Sequence, residues 1–527
     1  MSKDEIELSI ARDETSPSLR HRNYFDDDAT LRRLGKRPLL TRSFGFMSIL
    51  GFSCSALCSW ESILLTTVPG LLISGPSGLI WGVVVNWIGV ISMYTTLAEL
   101  ASAAPTAGGQ YHWVAMLGPE SSAVFLSYMT AWLTTLAWQA ISVMVSYLVA
   151  TLLQGIIVLA QPTYVPEAWH TVLLIWAFAL FFTALNSTTS RTLAKLEGLI
   201  LVLHLAGFFG ILVPMVYLAP HNEPSFVFET FFNNGNWPTQ TMAFFVGFPT
   251  LATALVGADC AVHMSEEIQS AAIVVPRALV YTVFINGALA LSMAIAMVFC
   301  IEDLETAVGA VETMFYPFLQ IFFSSVGSVT GACLMAGVVF VLSIAGGIGI
   351  YASTARMLWS FSRDKGVPFS SQLVKLTNNS LPTYSILTTF IVTVLLSLIA
   401  LGSAVALQAL CSLSMAALFA SYLFPCVLLL WRRTTGRMRP YFPDPDNNEG
   451  VTWGPWRIPE PFGTINNVFA CIYIIITLLW SFWPQTNPTT LETANWSVLP
   501  FSVVIIFSIL WYVLRAKHYF KGPIKEV

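Results

Sequence analysis

The sequence predicts an all-α integral membrane protein of about twelve transmembrane helices. Three observations predict it. Hydrophobic residues make up 55% of the 527 and charged residues only 10%, whereas a soluble domain carries roughly 25% charged residues. The mean hydropathy is +0.70, so most of the surface must face lipid. The apolar residues are also gathered into runs near the ~20 residues a helix needs to cross a bilayer.

In chain order the runs fall at 44–68, 78–102, 121–155, 168–186, 196–218, 240–262, 277–300, 327–352, 383–402, 404–430, 465–484 and 497–515. The third is long enough to tilt strongly or to carry a short extension. The ninth and tenth are parted by little more than Gly402-Ser403. Together they form one membrane domain, residues 44–515, between a polar N-terminal tail, 1–43, and a short C-terminal tail, 516–527. No short apolar stretch with a cleavage site opens the chain, so the first run is expected to be an uncleaved anchor.

Lys and Arg favour the cytoplasmic side of a membrane. With twelve spans, all 25 Lys and Arg fall on one side, together with both tails. The opposite loops hold Glu167, Glu223, Glu229, Glu302, Asp303, Glu305, Glu312 and Glu492. Both termini are therefore expected in the cytoplasm. Asn495-Trp496-Ser497 is the one sequon on the far side, and it sits too near the membrane to expect glycosylation. A net charge of -4 gives no reason to expect a nucleic-acid partner. The eight cysteines show no C-x-x-C spacing, so no metal is expected, and they read as small apolar packing residues.

Two spans look broken. The first reads Gly51-Phe52-Ser53-Cys54-Ser55-Ala56-Leu57-Cys58-Ser59-Trp60-Glu61-Ser62, placing small and hydroxylic residues around a carboxylate at mid-membrane. The sixth reads Gly247-Phe248-Pro249-Thr250, then Thr253, then Gly257-Ala258-Asp259. In hydrocarbon every backbone polar group must be satisfied within the protein, so such breaks survive where they line a cavity. Breaks at comparable depth in the first and sixth spans suggest an inverted five-helix repeat. Freed N–H groups at half-helix N-termini can hold a carboxylate, and freed carbonyls can hold an ammonium. The alternative is that the glycines only permit close helix packing.

Several stretches carry a family resemblance. One is Leu97-Ala98-Glu99-Leu100 followed by Pro105-Thr106-Ala107-Gly108-Gly109-Gln110-Tyr111-His112-Trp113. A second is Gly257-Ala258-Asp259 with Val262-His263-Met264-Ser265-Glu266-Glu267 and Val275-Pro276-Arg277-Ala278. A third is Ala355-Arg356 with Phe361-Ser362-Arg363-Asp364-Lys365-Gly366-Val367-Pro368. From about residue 30 to residue 515 the chain resembles the fungal amino acid, GABA and choline permeases of the amino acid–polyamine–organocation superfamily. The resemblance implies a LeuT-like core of two inverted five-helix repeats plus two helices. It further implies a substrate held between the first and sixth helices and transport by alternating access.

Candidate residues follow. Glu61 is costly at mid-membrane unless paired, protonated or useful. It either meets a cationic group of the substrate, carries a coupled proton, or caps a broken helix. Trp60 offers a ring face to an ammonium, and Ser59 and Ser62 flank the pair. Trp138, Gln139 and Ser142 on the third span, and Ser343 on the eighth, are candidate pocket lining. By resemblance, Thr253 stands where bacterial relatives have an aromatic gate, Val256 and Gly257 border the substrate backbone, and Asp259 serves gating or coupling. His204 lies near where some proton-coupled relatives carry a lysine on the fifth helix, and a histidine there exchanges a proton near neutral pH. Glu266 and Glu267 are expected to form an ionic latch with Arg277, and Glu99 to have a structural role. Asp26-Asp27-Asp28 reads as a solvated tail.

The reading is a secondary active transporter in the plasma membrane that carries amino acids or small amines such as GABA or choline, with the proton as coupling ion. No Walker A loop is present to support ATP drive, no cofactor is expected, and no metal-binding or nucleophile motif points to an enzyme. A polyamine transporter and a transporter-like nutrient sensor are the alternatives. A sensor is disfavoured by the short tails.

Overall fold

The computed structural model describes residues 27–66, 68–188, 190–377, 380–402, 404–441, 450–490 and 494–526. Most of the expected N-terminal tail, Glu492 and Asn378-Asn379 lie outside these residues. The described architecture is helical, with two isolated β-bridges, Phe44 to Ile268 and Arg439 to Thr452.

Among the described residues, thirteen helices organise the membrane part. They are α1 (Phe46–Leu57), α2 (Ser59–Thr66), α3 (Val68–Ala103), α4 (Ala123–Ala160), α5 (Ala168–Asn186), α6 (Ser190–Leu218) and α7 (Gln240–Ala252), then α8 (Ala271–Phe299), α9 (Val329–Arg363), α10 (Thr383–Ser397), α11 (Ala404–Thr434), α12 (Phe462–Ser481) and α13 (Val498–Trp511). Counting α1 and α2 as one span, eleven helical stretches among the described residues are long and apolar enough to cross a membrane. The expected sixth run is absent from that set because it is divided. Helix α7 gives way to a 3₁₀ turn at Thr253–Leu255, an extended Val256, and a four-residue helix, Cys260–His263.

Burial separates core from periphery. The most apolar stretch of α1 and α2 is 83% buried by the rest of the chain, whereas that of the last span is 6% buried. Helix α1 packs on α6, α8 and α9, and α2 packs on α8 and on the 3₁₀ turn. Helix α7 packs on α3 and α12, while α4 lies against α9 and α11. The first span and the divided segment thus stand at the centre of the bundle, as an inverted-repeat transporter fold requires.

The side bearing the termini is closed by buried ion pairs. Lys36 meets Asp364 at 2.5 Å, Arg433 meets Glu99 at 2.5 Å, Arg356 meets Glu267 at 2.8 Å, and Arg363 meets Glu266 at 2.9 Å. A buried charge needs a partner, and here each pair joins segments distant in sequence. Asp27 is more than a solvated tail residue, because its carboxylate accepts the backbone N–H groups of Ser270 and Ala271 at the start of α8. An acidic group at a helix N-terminus satisfies donors the helix itself leaves free.

Candidate functional site: a cavity between two broken helices

The break in the first span falls at Cys58, whose φ of 46° and ψ of 46° place it in the left-handed region. Its N–H still bonds to the Cys54 carbonyl at 3.1 Å, closing α1. Helix α2 then starts afresh, so the N–H groups of Ser59, Trp60 and Glu61 have no preceding turn of their own helix to bond. In the divided segment, Gly257 has φ 131°, a conformation side chains rarely tolerate. A Cβ on Gly257 would lie 3.8 Å from the Ala56 carbonyl oxygen and 3.9 Å from Leu57. The two breaks therefore meet.

A small pocket opens at this meeting point, lined by Ala56, Leu57 and Cys58 from one break and Thr253, Val256 and Gly257 from the other. It adjoins a larger cavity of about 350 Å³ that reaches toward the face opposite the termini. The walls of that cavity include Tyr147, Phe315, Tyr316, Trp480 and Trp483. Among the described residues lining the two spaces there is no Asp, Glu, Lys, Arg or His.

Of the residues singled out from sequence, Ser62, Trp138, Thr253, Val256, Gly257 and Ser343 line the small pocket. Five others are turned into the protein. Ser59 donates to Asn286 at 2.7 Å. Gln139 donates to Thr389 at 3.2 Å, and Ser142 shares a hydrogen bond with Thr354 at 2.9 Å. Trp60 packs against His204 and Phe208. Glu61 is wholly buried and stands 2.7 Å from His204 Nδ1. The structure thus brings Glu61 and His204 together, away from the pocket lining.

Asp259 is held in a separate polar cluster. It accepts from Tyr422 at 2.5 Å and from Gln110 at 2.8 Å, with His263 Nε2 3.8 Å away. Tyr94 links this cluster to the second break, since its hydroxyl oxygen accepts the Gly257 N–H at 2.7 Å. Glu266 and Glu267 pair with Arg363 and Arg356 of α9, while Arg277 is exposed. Glu99 binds Arg433 and the Ile458 N–H.

Sequence reasoning passed over Cys58, Met144 and Met415, which also line the small pocket. Cys58 was within reach, since it lies in the small-residue run around Glu61. Two methionines in apolar helices carry no signal that separates pocket from core.

A family model for amino acid permeases matches residues 44–509. The chain belongs to the amino acid permease family. Its relatives agree. The choline transporter of Saccharomyces cerevisiae is 28% identical over 91% of this chain and 83% of its own. A putative amino acid/polyamine transporter of Macrophomina phaseolina is 26% identical over 85% of this chain and 96% of its own. Amino-acid permease 2 of Neurospora crassa is 24% identical over 94% of this chain and 89% of its own. This permease is accordingly a multi-pass membrane protein and a secondary transporter of amino acids or related small molecules.

Proposed function

We propose that this permease carries a zwitterionic amino acid, GABA or choline across the plasma membrane by alternating access and in symport with protons. In this reading the fold is the LeuT-like repeat with two additional helices, and both termini are cytoplasmic. The observation that carries the reading is the meeting of the two helix breaks at the pocket floor. Peptide groups freed there recognise a carboxylate or an ammonium without a charged side chain.

The uncharged lining bears on substrate class. A polyamine brings two or more positive charges out of water, and each needs a countercharge. The described walls offer none. A single ammonium is served by backbone carbonyls and by aromatic faces such as Trp138, and a zwitterion brings its own countercharge. The yeast relative named as a choline transporter supports the same direction.

Glu61 and His204 then serve the proton. The carboxylate and the imidazole stand 2.7 Å apart in a buried site, and they sit beside the first break without facing the solute. Glu266 and Glu267 belong to gating on the termini side, through the ion pairs with α9, and Asp259 joins it through its bonds to Tyr422 and Gln110.

The test is uptake in yeast lacking its own permeases, with labelled neutral amino acids, GABA, choline and putrescine at pH 5 and pH 7. Uptake of one of the first three, stronger at pH 5, is expected. Putrescine as the preferred solute would remove the argument from the uncharged lining. Strong uptake that ignores pH would remove proton coupling.

A further inference from the structure

We propose that Glu197, on α6, is the group that releases the coupled proton toward the termini side, and that α1 is the shutter that covers it. This rests on the proton-coupled reading above.

Glu197 is wholly buried. One carboxylate oxygen accepts the Ser55 hydroxyl of α1 at 2.6 Å, and the other has no hydrogen-bond partner. Among the described residues it has no ion-pair partner. The titratable groups around it supply no positive charge at close range. Helix α1 presents Ser55, the break presents Cys58, and the turn after Gly257 presents Cys260. On α2 stands Glu61, already engaged with His204. Helix α8 presents the neutral Thr282 and Asn286, and its Arg277 is exposed. Helix α9 presents Ser343 and Ser353, and its Arg356 is held by Glu267. On α6 itself Lys195 is exposed. A carboxylate so placed is neutral while α1 lies against it, because nothing compensates its charge.

The contact that hides it is built to part. At Gly51 the backbone of α1 touches α6 directly, and a Cβ there would fall 2.4 Å from the Glu197 carbonyl oxygen. The break at Cys58 makes α1 a separate rod from α2. Swinging α1 away, as opening the termini side demands, removes Ser55 and admits water to Glu197. The O–H bond then breaks, the proton passes to that water, and the carboxylate stays ionised until α1 returns. His204 lies seven residues on, which is two helical turns or about 10 Å along the same face of α6. Glu61 and His204 therefore flank the break on the far side and Glu197 on the termini side, in line for a proton crossing the membrane.

The test needs no substrate. Cys58 lines the small pocket, which adjoins the cavity that reaches toward the far face, so the accessibility of its thiol reports that side's openness. The permease is reconstituted in vesicles with the far face outward and external pH fixed at 7. The rate at which a membrane-impermeant methanethiosulfonate modifies Cys58 is measured with the interior near pH 5.5 and near pH 8, with Cys58→Ser as background. In the wild type, labelling is expected to slow several-fold at the alkaline interior, because ionised Glu197 favours the state open to the termini side. Glu197→Gln is expected to label fast at both values. Ser55→Ala, which removes a bond that only the closed state makes, is expected to shift the transition to lower pH. A wild type that responds to interior pH, with Glu197→Gln responding equally or Ser55→Ala unshifted, overturns the role of Glu197 and leaves coupling intact. A wild type indifferent to interior pH overturns the coupling reading itself.

Discussion

Arg363, the last residue of α9, grips Glu526 near the end of the described chain, with its Nε and one terminal nitrogen each 2.6 Å from a different carboxylate oxygen. The same guanidinium holds Glu266 beside the divided segment at 2.9 Å. The C-terminal residues are thereby fastened to the gate that closes the termini side. Further bonds secure them: the Glu526 N–H donates to the Gly35 carbonyl, and the Ile524 N–H donates to Asp364. Phe520 packs against Tyr128 and Phe361.

Removing the charge at 526 is expected to free this strap. Glu526→Gln loses a partly exposed ion pair worth about 1 kcal/mol, or roughly five-fold in the open fraction. Amide hydrogen exchange at 520–526 should rise accordingly while α6 and α8 stay protected. The wild type should reproduce the effect in acid. Burial alone would raise the Glu526 carboxyl, but hydrogen bonds from Arg363 and the Arg37 N–H outweigh it and hold the group below its ordinary value. A carboxyl depressed in the folded state stabilises above its unfolded value and loses that contribution as pH falls through the folded one. Exchange that is the same in wild type and Glu526→Gln at neutral pH would refute the strap.

Glu99 and Arg433 make a stronger prediction. The pair is buried where α3 and α11 end, and Arg433 also lies over the Trp453 ring at 4.8 Å. Glu99→Ala leaves a buried guanidinium with only Glu460, at 3.0 Å and half exposed, as its remaining acidic partner. Breaking one side of a buried pair costs about 3–5 kcal/mol, and Glu460 should keep the loss near the lower end. Melting of the purified protein in detergent should drop clearly for Glu99→Ala. An unchanged melting curve would show that Glu460 alone suffices.

The bilayer made most of this fold legible. Long apolar runs have one meaning in lipid, and Gly257 marked the interruption in the sixth, whereas Gly247 and Pro249 lie within α7 and do not break it. Ser62 was readable as lining because the first break placed it, and Thr253, Val256 and Gly257 through the family resemblance. The interruption of the first run was harder to locate, since it falls on Cys58, a residue type with no preference for the left-handed region. Glu197 was passed over because it sits near Lys195 at the end of its run and reads as an interfacial charge. Burial by α1 is a tertiary fact that local pattern does not hold. The same is true of Arg363 pairing with Glu526, where 163 residues separate the partners.

Gly51 offers a test of how closely α1 must seat. Its missing side chain lets α1 approach the α6 backbone, and an added methyl would collide with the Glu197 carbonyl oxygen. Neither backbone can yield without moving a helix. Gly51→Ala is therefore expected to cost about 1–3 kcal/mol, as overpacking does, and to lower melting. Ala at position 198, where Gly198 has open space around it, should be harmless. Equal effects at the two positions would mean that α1 does not rest on α6 as described.

Cys58 makes the break itself testable. A left-handed conformation costs a side-chain-bearing residue about 1–2 kcal/mol, which glycine avoids. Cys58→Gly should therefore fold at least as well as the wild type, although it loses the thiol's bond to the Ser55 carbonyl at 2.7 Å. Cys58→Val, β-branched and without that bond, should fold worse. Cys58 also lines the small pocket, so modification of its thiol by a methanethiosulfonate should abolish uptake of labelled choline or alanine, whichever the cells accumulate. Cys58→Gly should transport and resist the reagent. If Cys58→Gly melts well below Cys58→Val, the residue is helical in the working protein, and α1 and α2 form a continuous rod with no floor for a solute.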